Sequence, residues 1–195
     1  VPGLPEISFD EINHKYTFEG LTLPSVTQIL SAVGLPDLSA ISSTILQWKA
    51  ELGTMVHLAT ELDDQNELDY GSLDDRIIPY LEAYQRFKFE SGFEIIDMER
   101  MVFDPALKYA GKLDRFGILN GKKALLDIKT GVFDPMSVGP QTAAYARAYT
   151  DLKCKRYALQ LKDDGNYKLH RLNNDNDFNI FLSALNVYKW KLGGK

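Results

Sequence analysis

The spacing of apolar residues changes five times along this chain, and each change marks a switch between strands and helices. The opening run "ISFDEINHKYTFEG" alternates polar and apolar positions in two short stretches about Glu11-Ile12-Asn13, the pattern of a hairpin. Pro24-Ser25 then opens a helix, with Ser25 as N-cap ahead of Val26, Ile29 and Leu30, and Gly34 as its stop. A second helix falls within 39–51. The run "GTMVHLATEL" follows with helical character through Val56, Leu58, Ala59 and Leu62, while Gly53 permits a bend or a close backbone approach. The acidic stretch 63–75 reads as a loop. Across 74–90, Ile77, Ile78, Leu81, Tyr84 and Phe87 recur at helical spacing, and Gly92 closes that helix.

Extended segments come next, at 93–103, 109–119 and 123–129. Asn120-Gly121 between the last two is a strong two-residue hairpin signal. A helix is predicted over 140–151, beginning after Pro140. Strands at 154–161 and 166–172 flank the turn at Asp163-Asp164-Gly165-Asn166, and a last helix takes 175–191. Helices, three strands, a helix, two strands and a helix make an α/β fold with a central mixed sheet flanked by helices. With no linker-like stretch, one domain is expected over 1–195. Its core spans about 50–175, and an N-terminal hairpin and helical cap occupy 1–50.

Composition narrows the functional classes. The 195 residues are 45% hydrophobic, enough for a real core. No apolar run is long enough to span a bilayer, and the start lacks a basic-then-apolar leader. The one cysteine, Cys154, excludes an internal disulfide and a cysteine-ligated iron–sulfur cluster. A reduced setting is therefore expected, cytoplasmic or organellar and not secreted. The net charge of −5 argues mildly against nucleic acid, but it averages over a strong asymmetry. Residues 61–75 hold seven acids and no base, whereas 108–156 hold ten bases against four acids. A basic block of this kind is either ordinary solvated lysine or the footprint of a phosphate backbone.

The chemistry concentrates in that block. In "ALLDIKTG", Asp127 and Lys129 stand two apart on a strand and so share a face. They are either a solvated ion pair at a strand end or a catalytic pair. Asp114, in "YAGKLDRFG", lies on the strand that the Asn120-Gly121 hairpin runs antiparallel to it, so the two carboxylates can converge on a hard cation. Equally, Asp114 can pair with Lys112 or Arg115. His57 and Glu61 are one helical turn apart, placed to reach a metal or each other. Gln141, Tyr145 and Tyr149 form a helical stripe that suits a core, or a phosphate met by polar tips.

The order of these motifs, G-x-x-x-H, G-x-x-D, D-x-K and Q-x-x-x-Y, resembles the PD-(D/E)XK nuclease superfamily, most closely its RecB-like exonuclease branch. Gly53 with His57, Gly111 with Asp114, Asp127 with Lys129, and Gln141 with Tyr145 carry the likeness over roughly residues 50–150. The helix in "PSVTQIL" also looks like that of phage-borne and mitochondrial relatives. Leu113 stands where the superfamily name has proline, and Asp127 where glutamate is commoner; both variants are usual in this branch. The resemblance implies a restriction-endonuclease-like core and metal-dependent hydrolysis of DNA, by an exonuclease of recombination, repair or replication. It assigns Asp114, Asp127, the Ile128 carbonyl and His57 to one or two Mg²⁺ or Mn²⁺ ions, with Glu61 as a further candidate. Lys129 faces the attacked phosphate, and Gln141 and Tyr145 position it. Lys112, Arg115 and Arg147 are expected on the DNA. DNA ends are the expected partner, with a recombination protein or further copies of the chain as others, and the acidic segment 63–75 is expected to arch over the site. The other readings are an inactive DNA-binding or assembly module of the same fold, a structure-specific endonuclease, and a metal enzyme acting on another phosphoester.

Overall fold

The computed structural model describes residues 7–10, 15–150 and 152–193. Strands β1 (Ile7–Asp10), β2 (Lys15–Phe18) and β3 (Leu21–Leu23) form a small antiparallel sheet. The expected turn at 11–13 lies outside the described residues, but the strands on either side pair as a hairpin requires, with Asp10 opposite Lys15. The third strand was not expected. It returns through Glu19-Gly20, both at positive φ.

Helix α1 (Val26–Ser31) starts as predicted. Ser25 and Gln28 form a reciprocal capping box, each side chain taking up the other's free backbone N–H. Helix α2 (Ser43–Gln65) corrects the two-segment reading of 39–62, because it continues unbroken through Gly53. Its apolar residues are helical on both sides of the glycine, and a Cβ there would meet Thr130 Oγ1 at an ordinary 3.5 Å. α2 also takes in the start of the acidic stretch and stops at Asn66, in a left-handed conformation. A single 3₁₀ turn, Tyr70–Ser72, follows. Helix α3 (Ile78–Ser91) ends on Gly92 as the sequence indicated.

The larger sheet has five strands in the order β4 (Glu94–Asp104), β5 (Tyr109–Leu119), β6 (Lys122–Lys129), β7 (Lys155–Leu161), β8 (Tyr167–Leu172). Only β6 and β7 run parallel, joined by the crossover helix α4 (Pro135–Thr150). α4 begins five residues earlier than predicted. Asp134 accepts the Met136 N–H at 2.9 Å, and Pro135 takes the first position, where no donor is needed. Pro140 is therefore internal to the helix, not its start. Helix α5 (Asp177–Lys191) completes the chain. No helix of the described residues is long and apolar enough to cross a membrane.

This is a mixed α/β fold with helices on both faces of the larger sheet. On one face α2 and α3 bury Val56, Tyr84 and Phe87 against Leu126, Ile128 and Leu159. On the other, α1, α4 and α5 bury Ile29, Tyr145 and Phe181 against Leu113, Phe116 and Leu125. The alternation along β6 puts Leu126 and Ile128 into the first core and turns Asp127 and Lys129 the other way, beside α4. The two carboxylate-bearing strands are held edge to edge by the Asn120-Gly121 turn, with φ of 51° and 70°.

Gly117 has a packing role. A Cβ there would lie 2.1 Å from the Glu94 carbonyl oxygen, beside the irregular register between Ile95 and Asp97. Gly117→Ala is expected to lower the unfolding free energy by about 1–3 kcal/mol, as overpacking against backbone does. Urea titration checks it.

Candidate active site

The site lies where β4, β5 and β6 meet α2 and α4. Asp114 and Asp127 face each other across the hairpin. The backbone ladder between β5 and β6 is regular as far as the pair Arg115 and Leu126. Beyond it the Asp114 carboxylate takes the next donor: the Ile128 N–H donates to Asp114 Oδ2 at 2.6 Å. That bond fixes the orientation of Asp114 and presents Oδ1 to His57, whose Nδ1 is 3.7 Å away.

His57 is carried in from α2. Its Nε2 is 3.2 Å from the Ile128 carbonyl oxygen. A carbonyl only accepts, so Nε2 carries the proton, and Nδ1 is turned toward Asp114 and Glu99. The Ile128 carbonyl, expected as a metal ligand, is here the acceptor that sets the histidine ring.

Glu99 is a residue that the sequence reading missed. Its Oε1 is 4.0 Å from His57 Nδ1, and His57, Glu99 and Asp114 offer ligand atoms that all lie within 4.8 Å of one another. This three-residue group can hold a metal ion. Glu99 is a non-glycine residue at φ 46° inside a strand, a strained backbone of the kind that clusters at functional positions. The strand across from it is irregular too. Leu113 and Phe116 pack into the same core although three residues apart, so simple alternation fails across Asp114-Arg115. Nothing in "DMERMV" separates Glu99 from an ordinary solvent-facing strand residue; only the pairing with β5 places it.

Asp127 is buried, and its Oδ2 lies 2.9 Å from Lys129 Nζ. Apart from this ion pair, the buried Oδ2 has no hydrogen-bond partner among the described residues. Such a carboxylate, on the strand paired with the one that carries Asp114, suits a cation. Lys129 Nζ donates to Gln141 Oε1 at 3.3 Å, and Gln141 Nε2 donates to the Tyr145 hydroxyl at 3.2 Å. The Tyr145 ring lies so close to Gly111 that a Cβ there would be 2.4 Å from it. The motif spacing thus has a geometric content: Gly111 admits Tyr145, which with Gln141 locates Lys129. Tyr149, the third member of the stripe, instead bonds Asp97 and packs edge-on against Phe116.

The charges are strongly coupled. Burial, then Asp127 and Glu99, push the Asp114 carboxyl up to about 6, against the pull of His57. Burial opposes the ionisation of Glu99, yet the neighbouring His57 and the Lys112 ion pair hold it at about 2. Burial also works against the charges of His57 and Lys129, but the neighbouring carboxylates raise both pKa values. Lys129 is therefore an ammonium at neutral pH.

Arg115 corrects the expectation of a DNA-facing side chain. It is fully buried, and its guanidinium donates to Asp64 at 2.7 Å, Glu99 at 2.7 Å, Tyr84 at 3.2 Å and Thr60 at 3.2 Å. Its neighbours also correct the picture of an acidic arch. Asp63 and Asp64 both accept from Lys88, at 2.7 and 2.6 Å, so the start of the acidic segment is tied to α3. Lys112 pairs with Glu99 at 2.8 Å while its stem stays half-exposed beside the site. Arg147 contacts Asp104 at 3.5 Å and lies over the Phe178 ring. Glu61 accepts from Gln65 at 3.5 Å and is not a member of the three-ligand group.

No protein-family model and no curated protein matches the chain. Among solved structures it is similar to LHK-Exo in complex with dAMP, at 12% identity over 88% of each chain with a TM-score of 0.41. It is also similar to SSO0001, at 16% identity over 86% of this chain and 84% of that one, with a TM-score of 0.35. Both likenesses are distant, and the reading of the site rests on its own geometry.

The raised pKa of Asp114 makes a stability prediction. Its folded value lies above the unfolded one, so ionisation penalises the fold as pH rises from about 4 through about 6, and the penalty vanishes below. An amide oxygen still accepts the Ile128 N–H. In EDTA, Asp114→Asn is therefore expected to raise Tm by about 6–12 °C at pH 7 and to leave it unchanged near pH 3.5. Calorimetry across pH checks this.

Proposed function

We propose that this chain is a metal-dependent deoxyribonuclease that hydrolyses phosphodiester bonds at DNA ends. The observation that carries the reading is the convergence of two groups. His57, Glu99 and Asp114 form one, and the chain Asp127–Lys129–Gln141–Tyr145 forms the other. An imidazole with several carboxylate oxygens, one of them buried and met only by the Lys129 ammonium, suits Mg²⁺ or Mn²⁺. His57, Glu99, Asp114 and Asp127 are the residues that would hold one or two such ions.

A bound divalent ion supplies Lewis acidity toward the phosphoryl oxygen and lowers the pKa of water. The chain's own residues do the rest. The Ile128 N–H and carbonyl fix Asp114 and His57 from the same peptide strand, so the ligands move together. Lys129, held as an ammonium by Asp127, is a donor and a positive charge, not a free base. Its role is to orient the attacking water and offset the charge that grows on phosphorus. Gln141 accepts a hydrogen bond from Lys129 and is itself anchored on Tyr145, which limits the arc through which the ammonium swings.

A terminal rather than internal cut, and a role in recombination, repair or replication, are parts of the same proposal. With Mg²⁺ or Mn²⁺, at least one of a labelled linear duplex and a labelled single strand should be degraded, and a closed circle should persist. Asp114→Asn, Asp127→Asn, Glu99→Gln and Lys129→Ala are each expected to lower the rate by at least about 10²-fold, the scale of losing one preorganised charge contact. Gln141→Ala should cost about tenfold, as a positioning residue does. Wild-type rates in any of the first four would contradict the assignment. DNA binding without cleavage by the wild-type chain would favour an inactive module.

A further inference from the structure

Beside the catalytic strand the protein exposes a run of large apolar side chains that the nuclease chemistry does not use. The loop leaving β6 carries Val132, 86% exposed. Val132 lines two clefts. One, of about 850 Å³, begins at Lys129 and Gln141 and is walled by Leu38, Ile41 and Met136, all exposed, with Asp37 and Asp134 at its polar parts. The other, of about 330 Å³, is lined by Trp48 with Lys49 on α2, Lys162 across from them, and Asp163. Ile45, 48% exposed, stands between Ile41 and Trp48 in the sequence. Leu38, Ile41, Ile45 and Trp48 thus recur at steps of three and four on one segment.

Leaving so much apolar surface in water is costly unless something covers it. A duplex meets a protein mainly with phosphates, which gain nothing from leucine or indole. An unpaired strand offers its base faces, and these stack on aromatic side chains and bury against apolar ones regardless of sequence. The larger cleft is continuous with Lys129, where the proposed reaction sets the scissile phosphate. The smaller one combines an indole with two lysines, a stacking platform with counter-charge for a backbone. We infer that these two clefts take bases of an unpaired DNA strand on either side of the Val132 loop, so that the enzyme acts on single-stranded ends. This rests on the nuclease reading for the identity of the ligand, but binding tests it separately from cleavage.

The chain has two tryptophans, so Trp190→Phe leaves Trp48 as the sole indole reporter. With Ca²⁺ in place of Mg²⁺, oligo(dT) is expected to quench Trp48 emission, and a blunt duplex of equal length is not. Fluorescence anisotropy of labelled oligonucleotides should show the single strand bound about tenfold more tightly, and Trp48→Ala should remove about that factor, the size of one base–aromatic stack. Val132→Ser should weaken single-strand binding at unchanged Tm, and Trp48→Phe should restore most of what Trp48→Ala loses. Equal affinity for both forms, or a Trp48 emission indifferent to DNA, overturns the inference. So does sedimentation showing a dimer that Trp48→Ala dissociates, since a second copy then covers the face. Cleavage in Mn²⁺ without strand preference defeats this inference and leaves the nuclease reading standing. Single-strand quenching without any cleavage does the reverse.

Discussion

The arrangement depends on one buried cation. Arg115 is fully enclosed, and its guanidinium reaches two helices and a neighbouring strand at once: Asp64 and Thr60 on α2, Tyr84 on α3 and Glu99 on β4. Removing such a charge from water costs several kcal/mol, so the bonds it makes must be nearly complete. That requirement fixes α2 against the sheet. Thr60 passes the constraint on, donating to the His57 carbonyl at 2.9 Å while accepting from Arg115. The histidine is thus placed both by the Ile128 carbonyl and, through Thr60 one turn on, by the Arg115 guanidinium.

The same residue tunes the electrostatics. Asp114, Asp127 and Glu99 crowd together in a largely dry volume, and three carboxylates there repel. Arg115 and Lys112 hold Glu99 ionised, Lys129 balances Asp127, and His57 leans on Asp114. Asp114 carries what is left over, and burial together with its acidic neighbours pushes its carboxyl up to about 6. The strained φ of Glu99 belongs to this account. A regular strand would alternate its side chain away from the cluster, whereas the left-handed backbone brings it in.

Much of the fold was legible because it is written in local signals. Asn120-Gly121, Gly92, the Ser25 cap and the alternation through 122–129 each act within a few residues, and each produced the expected element. Helix limits were harder where two signals competed. Pro140 looked like a start, but Asp134-Pro135 is the stronger one, since it satisfies the first free N–H directly. In the site, the residues with motif spacing lie together: Asp127 beside Lys129, Lys129 on Gln141, Gln141 on Tyr145, Tyr145 on Gly111. Glu99 and the fate of Arg115 were not legible. Both depend on which residue stands opposite which across β4 and β5, and a charged residue in a strand reads the same whether it faces water or a buried partner.

The central claim is that His57, Glu99, Asp114 and Asp127 surround a divalent cation beside a charged Lys129. Crystals soaked in Mn²⁺ test it most directly, through anomalous scattering. The account predicts a peak within coordination distance, about 2.0–2.3 Å, of His57 Nδ1 and of oxygens from Asp114 and at least one of Glu99 and Asp127. A map with no peak there, or with Mn²⁺ held only by exposed acids elsewhere, would contradict it.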